Sequence, residues 1–206
     1  MDAIKEAKVN DYDDEMVVGF DMVCEEDRHM PLLDYVAEIL KKRDEDEEYE
    51  YPVILHAGES IRRENKDLYD ALLLGTKRIG HGFALAMHPH LVDIVKKEKI
   101  CVECCPISNN ILGYVRDLRC HPIRSLLCQG VAVSINPDDP GFFDYEGVTL
   151  DYVYAFLAWE LSIADLKQLC LNSLEYAEIS RKEKIKLRDF FDERWRRFLE
   201  FVRGKY

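Results

Sequence analysis

YPVILHAGE, residues 51–59, sets an apolar run directly before a histidine, two small residues and a glutamate. A short run of this kind reads as a buried strand, which would hold His56 rigidly at its end and carry Glu59 in the loop above. The cadence recurs downstream, where RIGHG (78–82), CPISN (105–109) and NPDDP (136–140) each follow an apolar run. The intervals from His56 to His81, to Cys105 and to Asp138 each leave room for a strand plus a helix. That is the rhythm of a βα repeat whose strand ends open into one site. Two histidines, a glutamate and two adjacent aspartates at those ends suit the holding of a divalent cation and the movement of protons. The chain reads as part of a metal-dependent hydrolytic enzyme.

The flanking segments extend the pattern. Met16 to Val23 reads as a further strand, Pro31 to Lys42 as a helix, Asp67 to Leu74 as the core of another, and Pro89 to Lys97 as a third. Strands are expected at Ile100 to Cys104 and Val131 to Ile135, with a helix over His121 to Cys128 between them. Beyond Pro140 the apolar spacing is helical throughout: Leu150 to Ala158, Ile163 to Ser173 with an end at Asn172-Ser173, and Ser180 to Arg203 opened by a Ser180/Glu183 capping box. The expected fold is α/β, a partial (β/α)8 TIM-type barrel comprising about the last five units, followed by C-terminal helices. One domain spans 1–206, with a polar lead-in over 1–15, βα units over 16–140 and a helical region over 141–206. The aromatics Phe190, Phe191, Trp195, Phe198 and Phe201 read as core packing. A chain that opens so near a buried strand is expected to lack whatever precedes it.

Composition narrows the function. The 206 residues are 48% hydrophobic, enough for a substantial core, and the formal net charge is −12. Such an acidic chain repels phosphates, which argues against a nucleic-acid partner. No apolar run reaches the length of a membrane span, and the N-terminus has no apolar signal core. The acidic runs Asp11–Glu15 and Asp44–Glu50 read as solvated linkers. The seven cysteines are odd in number, lack zinc-ribbon spacing and read as small buried hydrophobes that fix no compartment.

At single positions the chemistry is weighed against structure. His56, followed by Ala57-Gly58, has room for a ligand and is a candidate metal ligand. Glu59 is a candidate proton donor, since a carboxyl in a water-poor pocket keeps its proton towards neutral pH. His81 stands unobstructed between Gly80 and Gly82. Arg78 reads as a structural ion-pair partner, His88, His90 and His121 as surface or capping residues beside prolines, and His29 stays open. Asp138 and Asp139 point to different sides, so one can bind metal while the other meets a substrate, although the proline-bracketed sequence also has turn chemistry.

The series HAGE, RIGHG, CPISN and DDP, in this order, resembles the adenosine deaminase family of amidohydrolase-like zinc barrels. RIGHGFAL, ECCPISN, DLRCHP and LKQLCLNSLEYA are most similar to its growth-factor branch. The resemblance implies Zn2+ as cofactor, His56 and Asp138 as zinc ligands, Glu59 as the acid that protonates purine N1, and His81 as the group that orients the attacking water. It implies Asp139 at purine N7 and, where the family has a glycine that meets the purine, Cys24. Asp21 would support a ligand from behind. The implied reaction converts adenosine to inosine and ammonia, with a small-molecule purine nucleoside as partner, a homodimer in the full-length form, and secretion. The family's H-x-H zinc pair has no counterpart here, because His88 and His90 bracket Pro89 after the third strand. Two alternatives stay open: a non-catalytic binding or dimerising module, and a deaminase of adenine, AMP or another aminopurine.

Overall fold

The computed structural model describes residues 18–45 and 52–205. The polar lead-in, the acidic run Asp11–Glu15, the start of the first expected strand and the later part of the second acidic run lie outside the described residues.

Five strands, β1 (Phe20–Met22), β2 (Val53–Ala57), β3 (Arg78–His81), β4 (Cys101–Cys104) and β5 (Ala132–Ile135), form one sheet in sequence order, every pair parallel. Helices α1 (Leu33–Glu45), α2 (Asp67–Leu73), α3 (Pro89–Lys97), α4 (Pro106–Ile111) and α5 (Pro122–Cys128) lie between them, α4 and α5 sharing one crossover. Three helices close the chain: α6 (Thr149–Ala158), α7 (Ile163–Glu175) and α8 (Arg181–Arg203). This is the expected partial barrel of βα units with C-terminal helices.

Register sorts the residues into two faces. Met22, Leu55, Ile79, Val102 and Val133 occupy one row across all five strands, and the last four are fully buried. Residues at one register level share a face, so this row is the floor against which the helices pack. The adjacent row is His56, Gly80, Glu103 and Ser134, and Asp21 of β1, level with Ile54 two residues before His56, lies on the same face. The inner face is therefore polar although every strand reads apolar in sequence. Arg78 on that face pairs with Glu103 and donates to the Tyr176 carbonyl at 2.9 Å, the structural ion pair expected of it.

Helix starts follow the side chains at their caps. Proline opens α3, α4 and α5, where its missing N–H costs nothing. Capping boxes open α7 (Ser162/Asp165) and α8 (Ser180/Glu183). Two expectations are corrected. Asn172-Ser173 does not end a helix, because α7 runs on to Glu175 and Asn172 is buried, its side-chain amide donating to the Val133 carbonyl at 2.7 Å. The aromatics of α8 are not core: no residue of that helix is buried, and Phe190 and Phe201 are 55% and 62% exposed. They pack on one another instead, Phe191 stacked on Trp195 with centroids 5.7 Å apart, with Lys167 of α7 over the indole.

Asn172 satisfies a carbonyl of β5, which pairs only with β4 in the described sheet. Removing it leaves a buried acceptor bare, so Asn172→Ala should lower unfolding free energy by about 1–3 kcal/mol. A urea titration checks this, and a change within about 0.5 kcal/mol would show the bond contributes little.

Candidate active site

The C-terminal ends of β2, β3 and β5 bring His56, His81 and Asp138 together, with one ligand atom from each within 4.8 Å of the others. No other such group is found among the described residues. His56 is fixed from behind by Asp21 of β1, whose carboxylate oxygens lie 3.0 and 3.2 Å from Nδ1. With its proton on Nδ1, directed at Asp21, His56 keeps a lone pair on Nε2 for a cation. Burial works against charge on this ring, but Asp21, then Glu103 and Asp138, outweigh it and raise the His56 pKa above the usual imidazole value. A methyl group at Gly80 would sit 2.8 Å from the same ring, so the glycine of RIGHG is the space in which His56 lies.

Strand alternation alone would turn His81, paired with Ala57, onto the helix-packed face. Its backbone is instead left-handed, with φ 61°, and the ring comes within 5.2 Å of the His56 ring, centroid to centroid. Asp138 is left-handed as well, with φ 58°. Two members of the trio thus hold a conformation that non-glycine residues rarely adopt, as happens where a structure holds side chains for function at a cost in stability.

Glu59 is 9% exposed and its Oε1 lies 3.4 Å from His81 Nδ1. Burial, reinforced by the charges of Asp138 and Glu26, pushes its pKa up to about 7. Burial likewise lowers the His81 pKa to about 4, with the nearby His56 acting in the same direction. At neutral pH the pair is a carboxyl able to give up a proton beside an uncharged imidazole, the division of states that acid–base chemistry needs. The loop beneath Glu59 hangs on Glu26, a buried carboxylate that accepts from the Gly58 amide at 2.7 Å and from the Ser60 amide, while Asp27 takes the Ser60 hydroxyl. Gly58 itself has φ +79° and its absent side chain faces Leu68, so no other residue fits that turn without strain.

Asp139 is exposed at the start of the next loop, its carbonyl accepting from Phe142 and Phe143. Cys24 is exposed on the loop after β1. Neither belongs to the group of metal-ligating atoms. His121 takes the capping role of the two expected for it, accepting from the Ile123 amide at the start of α5, and does so from a buried position at 2% exposure. His29 faces the buried Asp67 at 3.6 Å and takes no part in the site. Several supporting residues had no signal of their own in the sequence. Glu26 lies in an ordinary acidic triplet. Asn109 is the last letter of CPISN and bonds both His81 and Glu59. Buried Asp151 accepts from the Ile107 amide at 3.1 Å and from Tyr145, whose hydroxyl also lies 2.7 Å from the Pro137 carbonyl.

The donor set fits a divalent cation of the zinc class, being imidazole and carboxylate without soft ligands. A family model described as adenosine deaminase matches residues 2–194. Adenosine deaminase 2 of Dictyostelium discoideum is 41% identical over 192 residues, covering 92% of this chain and 35% of its own length. The chain spans about a third of the length of the curated relatives it matches. Among solved structures, an amidohydrolase of Burkholderia ambifaria with bound zinc superposes with TM-score 0.81 at 21% identity, over 98% of this chain and 54% of that one. The adenine deaminase of Arthrobacter aurescens superposes with TM-score 0.77 at 25% identity, over 87% and 53%.

The left-handed backbone at Asp138 separates stability from function. Asp138→Gly should be more stable than Asp138→Ala by about 1 kcal/mol, because alanine keeps the clash that glycine removes, while both lose the carboxylate. Paired chemical denaturation curves read this difference directly, and equal midpoints would show that Asp138 carries no backbone strain.

Proposed function

The chain belongs to the adenosine deaminase family, and from that premise we propose that its site replaces the 6-amino group of adenosine, or of a related aminopurine, with oxygen from water. The observation that carries this reading is the protonatable Glu59 beside neutral His81, both facing the cluster of His56 and Asp138. His56 and Asp138 would hold a divalent cation, zinc on this reading. Bound there, it would make water acidic enough to attack near neutral pH.

The chain's own residues do the rest. Protonated Glu59 passes its proton to purine N1, which draws electron density from C6. His81 faces the incoming oxygen and offsets the charge that develops as the C6–O bond forms. Of the water's two protons, one re-protonates Glu59 and the other passes from the new C6 hydroxyl to the amino group. The C6–N bond then breaks and ammonia departs, leaving the 6-oxo purine with hydrogen on N1. The exposed Asp139 and Cys24, at the mouth formed by the strand ends, are the proposed contacts to the purine.

A nucleoside or free base suits this mouth better than a nucleotide. Burial raises the Tyr114 pKa and the carboxylates of Asp27, Glu25 and Glu26 raise it further, while Asp21 is exposed beside His56. That much negative charge repels a phosphate. Assayed on the complete protein, AMP should show kcat/KM at least about tenfold below adenosine. Equal or better turnover of AMP would move the reading to a nucleotide substrate.

Glu59→Gln keeps the shape and removes the proton. Turnover should fall by about 100-fold or more with the cation still bound. Full activity in that variant would remove Glu59 as the acid. The same substitution has a signature in stability. The Glu59 pKa rises from 4.5 to about 7 on folding. The stabilisation from its extra proton is therefore complete below about 4.5 and lost as pH rises through about 7. In chelator-treated protein, wild-type stability should decline with pH across that window more steeply than that of Glu59→Gln, which urea midpoints at several pH values will show.

A further inference from the structure

We propose that Asn109 and His121 are positioning residues that hold His81 in one tautomer, with its proton on Nε2, so that His81 presents a hydrogen-bond donor to the site and does not ligate the cation. What that donor does rests on the proposed deamination; the tautomer follows from bond directions alone.

The chain of bonds starts at a group with no choice. The Ile123 backbone amide can only donate, and it donates to His121 Nδ1 at 3.2 Å. A ring that accepts at Nδ1 is neutral and carries its proton on Nε2. That nitrogen lies 3.1 Å from Asn109 Oδ1, which accepts from it. The Asn109 amide is thereby oriented, and its Nδ2 faces His81 Nδ1 at 3.2 Å and Glu59 Oε1 at 3.4 Å. An amide nitrogen donates only, so His81 Nδ1 accepts and its proton sits on Nε2. Turning the Asn109 amide over breaks the link to His121. Its oxygen would then face the Glu59 oxygen, and its nitrogen would face the protonated Nε2 of His121.

The relay is sealed and rigid. Asn109 is fully buried, and His121 is held between Phe83 and Trp159 with ring centroids 6.1 and 5.4 Å away. His56, whose Nδ1 proton goes to Asp21, is the opposite tautomer. The two histidines of the cluster therefore play different parts. His56 offers a lone pair, and His81 offers a proton.

Isotope-edited imidazole NMR on the full chain reads the tautomers without reference to activity. Wild-type His81 should show its proton on Nε2. Asn109→Asp, nearly the same shape, replaces the donor with an acceptor and should move the proton to Nδ1. His121→Phe keeps the ring packing but releases the Asn109 amide, and should give a mixture of both tautomers in a chain that still unfolds cooperatively. This second variant decides the matter if Asn109→Asp does not fold. Both substitutions should lower kcat by about 100-fold with KM within about twofold, since the donor matters most when charge develops. A wild-type proton on Nδ1, or an unchanged tautomer in the folded variants, overturns the inference. If the tautomer shifts as stated but the complete protein turns over no aminopurine, the relay stands and the deaminase reading falls.

Discussion

The parallel register of β2 and β3 is the constraint on which the site depends. It sets His56 level with Gly80, and a side chain at Gly80 would occupy the space that the imidazole fills. The register of β1 on β2 sets Asp21 level with Ile54, two residues before His56 and on the same face, from where its carboxylate reaches the His56 ring. A slip of one residue would send His56 to the helix-packed face and replace it with an apolar neighbour. Because the row of Leu55, Ile79, Val102 and Val133 is buried without gaps, such a slip would also expose the core. Burial on one face thus enforces the geometry of polar groups on the other.

The electrostatics of those polar groups work against folding. Burial raises the proton affinity of both Glu26 and Glu59, and the charges of Asp138 and Glu26 raise that of Glu59 further. Glu26 offsets part of its cost by accepting two backbone amides, which is also how it holds the Glu59 loop in place. Left-handed backbone at His81 and Asp138 adds a further local cost. A site of this kind persists only on a scaffold whose apolar packing exceeds what the fold alone requires, consistent with the fully buried central row.

Much of this arrangement is legible in the sequence because the strands are short, apolar and each closed by a polar motif. The helix over Pro89 to Lys97 matches residue for residue, since proline marks its start and two lysines its last turn. His56, Glu59, His81 and Asp138 are legible for the same reason, standing at strand ends in phase. What sequence patterns miss are groups whose role depends on a partner far along the chain. Asn172 looks like a helix terminator because asparagine favours caps, and only the neighbouring β5 carbonyl explains it inside a helix. The α8 aromatics have helical spacing in sequence, but spacing does not say whether anything covers them. Glu26 and Asn109 are ordinary residues until the loop and ring they bond are known.

His121 shows how a correct local reading can conceal a wider role. Its position before Pro122 marks a helix cap, and the structure bears that out through the bond from the Ile123 amide. Capping takes only Nδ1. The bond that satisfies the helix end also fixes which nitrogen of the ring keeps the proton, and that proton lies on the side facing Asn109. A helix N-terminus therefore sets the hydrogen-bond direction of a residue on another element, and through it that of His81 on β3. The coupling needs no movement and no charge, only groups that can donate or accept in a single sense. Residues placed for stability can in this way decide the chemistry of a site they do not touch.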